Sequence, residues 1–255
     1  KVEPTKSLFH LENGPVEPSQ AGDWLEFTFD RSITDRLNQL AQANKSSMFH
    51  VVYAAFSLAM YYLGAGKKVL VGTSTYGRDD PRYQDTVGLF TNVILNHVTF
   101  SETLNIGQLI QQIKNNIIAS LPYSDVPFVT VEHTVAAQPL TSPSDNLCEV
   151  YIQYHQKNVL NTAIELDNAE QIPFELLEPE RDIAKFGLHF EAYENPHSDE
   201  APLRVVLAYR TSHYTPEQIS LVKEVSQAVV HALANSVDQE MSLRDVRKQL
   251  AEEGL

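Results

Sequence analysis

Apolar and polar residues alternate from Trp24 to Asp30, a period of two that predicts a strand with one buried face. The period then lengthens. Ile33, Leu37, Leu40 and Ala41 recur at helical spacing, and Ser32, with Asp35 three residues on, reads as the N-cap. From Met48 to Leu63 the polar face vanishes: Val51, Val52, Phe56, Leu58 and Met60, with the alanines between them, predict a helix buried all round. Gly64-Ala-Gly66 is its stop signal. Strand character resumes at Lys68–Thr73, breaks over the polar loop Tyr76–Asp85 and returns at Phe90–Phe100. Ile106, Leu109, Ile110, Ile113, Ile117 and Leu121 place one apolar stripe on a helix over Asn105–Ser120, which Pro122 ends. Pro127 can open a short helix carrying Val131.

A Pro/Ser/Asn/Asp loop follows at 136–146. Strands are expected at Glu149–His155, Phe174–Leu177, Gly187–Tyr193 and Leu203–Tyr209, with a hairpin loop or longer excursion between Pro196 and Pro202. Thr215 caps and Pro216 opens a long helix reaching Asn235, and the charged residues 239–255 end in a short helix or frayed tail. Residues 1–23, with Pro4, Gly14, Pro15, Pro18 and Gly22, read as an extended connector. No repeat of 20–50 residues is visible. The fold class this predicts is α/β, with helices layered on a mixed β-sheet.

Composition narrows the function classes. The 255 residues are ample for a buried core. The net charge of −14 repels phosphate backbones and anionic membranes, so the reading is no nucleic acid and no membrane partner. No apolar run approaches the roughly 18 residues of a membrane span, and the N-terminus has no signal-peptide core. One cysteine, Cys148, allows no internal disulfide, which fits a cytoplasmic location. It sits in an alternating run and reads as a half-buried small hydrophobe rather than a nucleophile. The absence of an initiator Met leads us to expect a piece of a longer chain.

Self-contained catalysis finds no support. There is no Gly-x-Ser-x-Gly elbow, Walker loop, His-Glu-x-x-His or Gly-x-Gly-x-x-Gly. Nine scattered histidines show no metal-ligand spacing, so no metal is expected.

The informative region is Val71 to Phe128. Val-Gly-Thr-Ser-Thr-Tyr-Gly-Arg78 is followed by Asp-Thr-Val-Gly-Leu-Phe-Thr-Asn92, and then by Tyr-Ser-Asp-Val-Pro-Phe128. This succession resembles the C-terminal half of the condensation domains of non-ribosomal peptide synthetases. The likeness extends over residues 24–245, including the buried helix 48–63 and Ala184-Lys-Phe-Gly-Leu188. Each motif alone is weak; their order and spacing are specific. Three positions depart from the family pattern: Val129 stands where Glu usually follows Pro-Phe, Gly187 replaces the usual Asp, and His97 lies near a usual Arg. The family's His-His-x-x-x-Asp-Gly motif is absent, for no two histidines are adjacent. Asp30 and Asp35 match the Asp-x-x-x-x-Asp spacing that heterocyclising relatives use instead, but helix capping explains them better.

The resemblance implies a chloramphenicol acetyltransferase-like half-domain: residues 1–23 as the connector from an N-terminal lobe, and 24–255 as the C-terminal lobe. It implies that Arg78 supports the active site across the lobe interface, by pairing with the Asp of the missing motif. It implies that Gly88, Phe90, Asn92, Pro127 and Phe128 line the cleft. Gly88 would permit close backbone approach, and Asn92 would bind either local backbone or a pantetheine arm. The implied partners are the N-terminal lobe, carrier proteins bearing phosphopantetheine-tethered substrates and an adjacent adenylation domain, with no cofactor bound directly. Cut from its partner, such a lobe would hide its apolar face by self-association. Two alternatives stand beside this reading: a degenerate, condensation-like module that recruits a carrier or tailoring protein, and a stand-alone chloramphenicol acetyltransferase-type enzyme, for which His213 and His231 would be the only candidates.

Overall fold

The computed structural model describes Leu8 and residues 20–78, 80–136, 147–156, 163–165, 171–173, 182–195, 202–237 and 240–255. Within them run eight strands: β1 (Gly22–Phe29), β2 (Lys68–Thr75), β3 (Asn92–Thr99), β4 (Val150–His155), β5 (Ala163–Glu165), β6 (Gln171–Pro173), β7 (Leu188–Glu194) and β8 (Leu203–Arg210). Six helices accompany them: α1 (Arg31–Ala43), α2 (Met48–Tyr62), α3 (Ile106–Ser120), α4 (Phe128–Ala136), α5 (Pro216–Asn235) and α6 (Leu243–Glu252). Six strands form one sheet in the order β1-β8-β7-β4-β2-β3, while β5 and β6 pair separately. The sheet is mixed: β4 runs parallel to both β2 and β7, and the remaining neighbours are antiparallel. The expected α/β class, with helices on a mixed sheet, holds.

The pleat decides which core each side chain joins. Val69 and Val71 of β2 enter the main core with α1, α2, α3, α5 and α6; Leu70, between them, faces the other way and meets Leu95 of β3 with Phe128, Val131 and Val135 of α4. The α2 helix, apolar all round, has its interior buried from Val51 to Tyr61. Phe56 stacks on Phe190 of β7, with ring centroids 4.5 Å apart, and the Tyr53 hydroxyl donates to the Val71 carbonyl at 2.9 Å. The glycine stop works as read: Gly64 and Gly66 adopt φ of 96° and 92°, and Ala65 N–H closes back on the Met60 carbonyl at 3.0 Å.

Several boundaries differ from the sequence reading. Asp30, not Ser32, caps α1, because the helix starts at Arg31 and the Asp30 carboxylate reaches the Ile33 N–H at 2.9 Å. The sheet begins at Gly22 rather than Trp24, since Gly22 already pairs with Arg210. Cys148 is buried rather than half-buried, its sulfur lying 2.4 Å from where a Cβ on Gly72 would stand. The charged C-terminal stretch forms a short helix, α6 (Leu243–Glu252), capped by a Ser242/Asp245 box. The strand expected at Phe174–Leu177, most of the connector 1–23, the loop residues 137–146 and residues 196–201 lie outside the described residues. Among the described residues no helix is long and apolar enough to cross a membrane.

Side chains close the exposed edge of β3. Gln112 of α3 accepts from Thr99 N–H at 2.7 Å and donates to its carbonyl at 3.0 Å, as a neighbouring strand would. Asn116 donates to the His97 carbonyl at 2.7 Å. An edge so occupied is a poor template for further strands.

Candidate functional site

Between the end of β2 at Thr75 and the start of β3 at Asn92, the chain folds around one cation. Gly77 makes the turn at φ +68°, and a Cβ there would fall 1.9 Å from the Phe90 carbonyl oxygen, so the close approach needs glycine. Arg78 follows. Its Nη1 donates to the Tyr83 carbonyl and to the Thr86 carbonyl at 2.6 Å, and its Nη2 donates to the Gly88 carbonyl at 3.1 Å. The guanidinium carbon lies 4.2 Å over the Phe90 ring, and that ring tilts against Tyr83 at 5.4 Å. Three of the five guanidinium N–H groups are thus engaged among the described residues. Within the loop a short turn at Pro81–Tyr83 is capped by Asp80, whose carboxyl is held below its usual range by hydrogen bonds from Arg82.

Asn92 joins this loop to the next segment. Its Nδ2 donates to the Ser124 carbonyl at 2.7 Å and the Val126 carbonyl at 2.6 Å, and its Oδ1 accepts from the Phe128 N–H at 3.1 Å. These partners are all backbone groups of the segment before α4. Pro127 directly precedes α4, and its carbonyl accepts from Thr130 N–H at 2.9 Å. Phe128 turns inward beneath Leu70 and Leu95, anchoring α4 to the sheet. The six residues singled out from sequence therefore form one connected unit: Arg78, Gly88 and Phe90 within the loop, Pro127 and Phe128 at the helix start, and Asn92 as the joint. Gly88 offers its carbonyl to Arg78, and a Cβ there would lie 3.2 Å from the Phe90 ring.

Around this unit several apolar side chains are exposed among polar ones. Val87 is 99 % and Leu89 89 % exposed, with Tyr76, Tyr123, Val126 and Val129 exposed nearby in the chain. Two apolar residues flanking a glycine, inside a polar loop with no strand or helix period, were the sequence signal for this patch. The three carbonyls that hold Arg78 left no such signal, because backbone partners carry no residue signature. The His97 ring is on β3, and Val129 points outward where the resemblance expects Glu. Among the described residues no group of three His, Cys, Asp or Glu is arranged to hold a metal.

Comparison with known proteins agrees with this architecture. The sequence profile of the Condensation domain matches residues 1–253. Tyrocidine synthase 3 of Brevibacillus parabrevis is 26 % identical over 91 % of this chain, which corresponds to 3 % of that synthase. The crystal structure of the X-domain from teicoplanin biosynthesis superposes with a TM-score of 0.76 at 18 % identity, covering 95 % of this chain and 53 % of the X-domain chain. The complex of the X-domain and OxyB gives a TM-score of 0.72 at 17 % identity, over 96 % of this chain and 51 % of the matched one. The chain thus spans about half the length of these solved domains and a small fraction of the synthase. It belongs to the condensation-domain family.

Proposed function

We propose that this chain is the C-terminal lobe of a peptide-synthetase condensation domain, with residues 1–23 connecting it to an N-terminal lobe. In the whole domain, the amine of an acceptor aminoacyl thioester attacks a donor acyl thioester. The new C–N bond forms as the C–S bond breaks, and the amine proton passes to the leaving thiolate, assisted by a histidine of the other lobe. Both substrates ride on phosphopantetheine arms of carrier proteins, and an adenylation domain is a neighbour in the same assembly line. A cytoplasmic location goes with this reading. The observation that carries it is the Arg78–Asn92 unit: a prefolded surface with exposed Val87 and Leu89 beside the half-buried Arg78, on a chain about half the length of the solved domains it matches. Arg78 is suited to receive a carboxylate from the other lobe across that surface, and Gly88, Phe90, Asn92, Pro127 and Phe128 shape the wall beside it.

The test is a condensation assay with two loaded carrier proteins. The expected result is no product from this chain alone, product when an N-terminal lobe is added, and a loss of 10-fold or more, on the order of 1–2 kcal/mol, with Arg78→Ala. Product from this chain alone would sink the proposal, as would an added lobe that associates yet restores nothing. A second reading, a condensation-like module that recruits another protein, draws on the likeness to the X-domain, one of whose structures is a complex with OxyB. Binding of a second protein in place of restored condensation would favour it.

A further inference from the structure

The entry of β4 is wedged between two glycines. A Cβ on Gly72 would meet Cys148, and a Cβ on Gly187 would fall 2.0 Å from Oε1 and 2.5 Å from Oε2 of Glu149. Gly187 has no positive φ, so its backbone admits any L residue and the Glu149 carboxylate is what excludes a side chain. The two positions are side by side because β4 and β7 pair in parallel, Val150 with Leu188.

Glu149 is 2 % exposed. Its Oε1 accepts from the Tyr214 hydroxyl at 2.6 Å and lies 3.2 Å from Nδ1 of His213. These two residues form the turn that leads from β8 into α5. Arg210, at the start of that turn and itself buried, donates to the Lys185 carbonyl at 2.7 Å and the Ala184 carbonyl at 3.3 Å, just before Gly187. One carboxylate therefore sits where the entries of β4 and β7 and the exit of β8 converge.

We propose that Glu149 is a positioning carboxylate: it fills the volume of the side chain missing at 187, fixes His213 with its proton on Nδ1, and closes the β8–α5 turn. A Glu149 oxygen that accepts from both the Tyr214 hydroxyl and His213 requires the His213 proton on Nδ1. The resemblance places Asp at position 187; here the acid reaches the same volume from the neighbouring strand. Two carboxylates cannot share that volume without a large desolvation and repulsion cost.

A double-mutant cycle on the 255-residue chain tests this. G187D should lower the melting temperature by roughly 5 °C or more, and E149A/G187D, which vacates the volume for the relocated acid, should recover most of that loss. Nitrogen NMR of the unaltered chain should show His213 protonated at Nδ1. A G187D cost that is the same with and without E149A would overturn the proposal, and so would a neutral His213 carrying its proton on Nε2. The NMR measurement decides even if a variant fails to fold.

Discussion

The polar atoms of the Asn92 side chain are committed to one segment, which makes this residue the most exposed to a falsifying measurement. Removing its amide strips two carbonyls and one N–H of their partners at once. With about 1 kcal/mol per net hydrogen bond and an added desolvation cost, Asn92→Ala should cost about 2–4 kcal/mol in urea unfolding. Amide exchange at Phe128 should quicken in the same variant. Asn92→Asp keeps the shape but removes both donors and faces two carbonyls with a charge, so it should fare no better. Cys148 makes the opposite prediction, of inertness. Burial, with the Glu149 charge beside it, pushes the thiol far above its ordinary range, so the reactive thiolate is scarce in the folded chain. A thiol reagent in mildly alkaline buffer should leave it unlabelled until denaturant is added; rapid labelling of the native chain would contradict the burial.

At the scale of elements, α2 and the β3 edge show how composition becomes architecture. A helix with no polar face can only lie in the middle of a protein, and α2 packs against α1, α3, α5 and the sheet. Phe56, 1 % exposed and stacked on Phe190, should cost about 3–5 kcal/mol when cut to Ala. The β3 edge is guarded by two α3 amides rather than by another strand. Gln112→Ala with Asn116→Ala frees the Thr99 N–H and the carbonyls of Thr99 and His97. The double variant should lose about 1–3 kcal/mol and aggregate through that edge, seen as turbidity at temperatures where the parent stays clear. An unchanged aggregation rate would show that the edge needs no guard.

For the whole molecule, the helices concentrate on one face of the sheet, while α4 covers the β2–β3 end of the other. The exposed Val87 and Leu89 belong to the Arg78 loop, held out by a cation and a glycine turn rather than collapsed inward. An apolar surface of this kind is an interaction site or an association hazard. Light scattering of the chain alone should therefore show concentration-dependent association, and Val87→Asp with Leu89→Asp should abolish it without lowering the melting temperature. A parent that stays monomeric at high concentration would remove this patch as the contact.

The order of helices and strands was legible in the sequence because burying one face of an element imposes a local period on its residues: two in β1, helical in α3, none in α2. Family membership was legible too, since glycines, Asn92 and Pro127 mark turns and joints at characteristic spacing. The strand order β1-β8-β7-β4-β2-β3 was not, because pairing joins residues far apart in the chain through backbone groups that all residues share. For the same reason the sequence marked Arg78 but not the carbonyls of Tyr83, Thr86 and Gly88 that hold it. It marked Gly187 as a departure, yet gave no sign that Glu149 fills the vacant volume. Local pattern specifies which face of an element is buried; only the folded backbone decides what that face, or a single polar side chain, will meet.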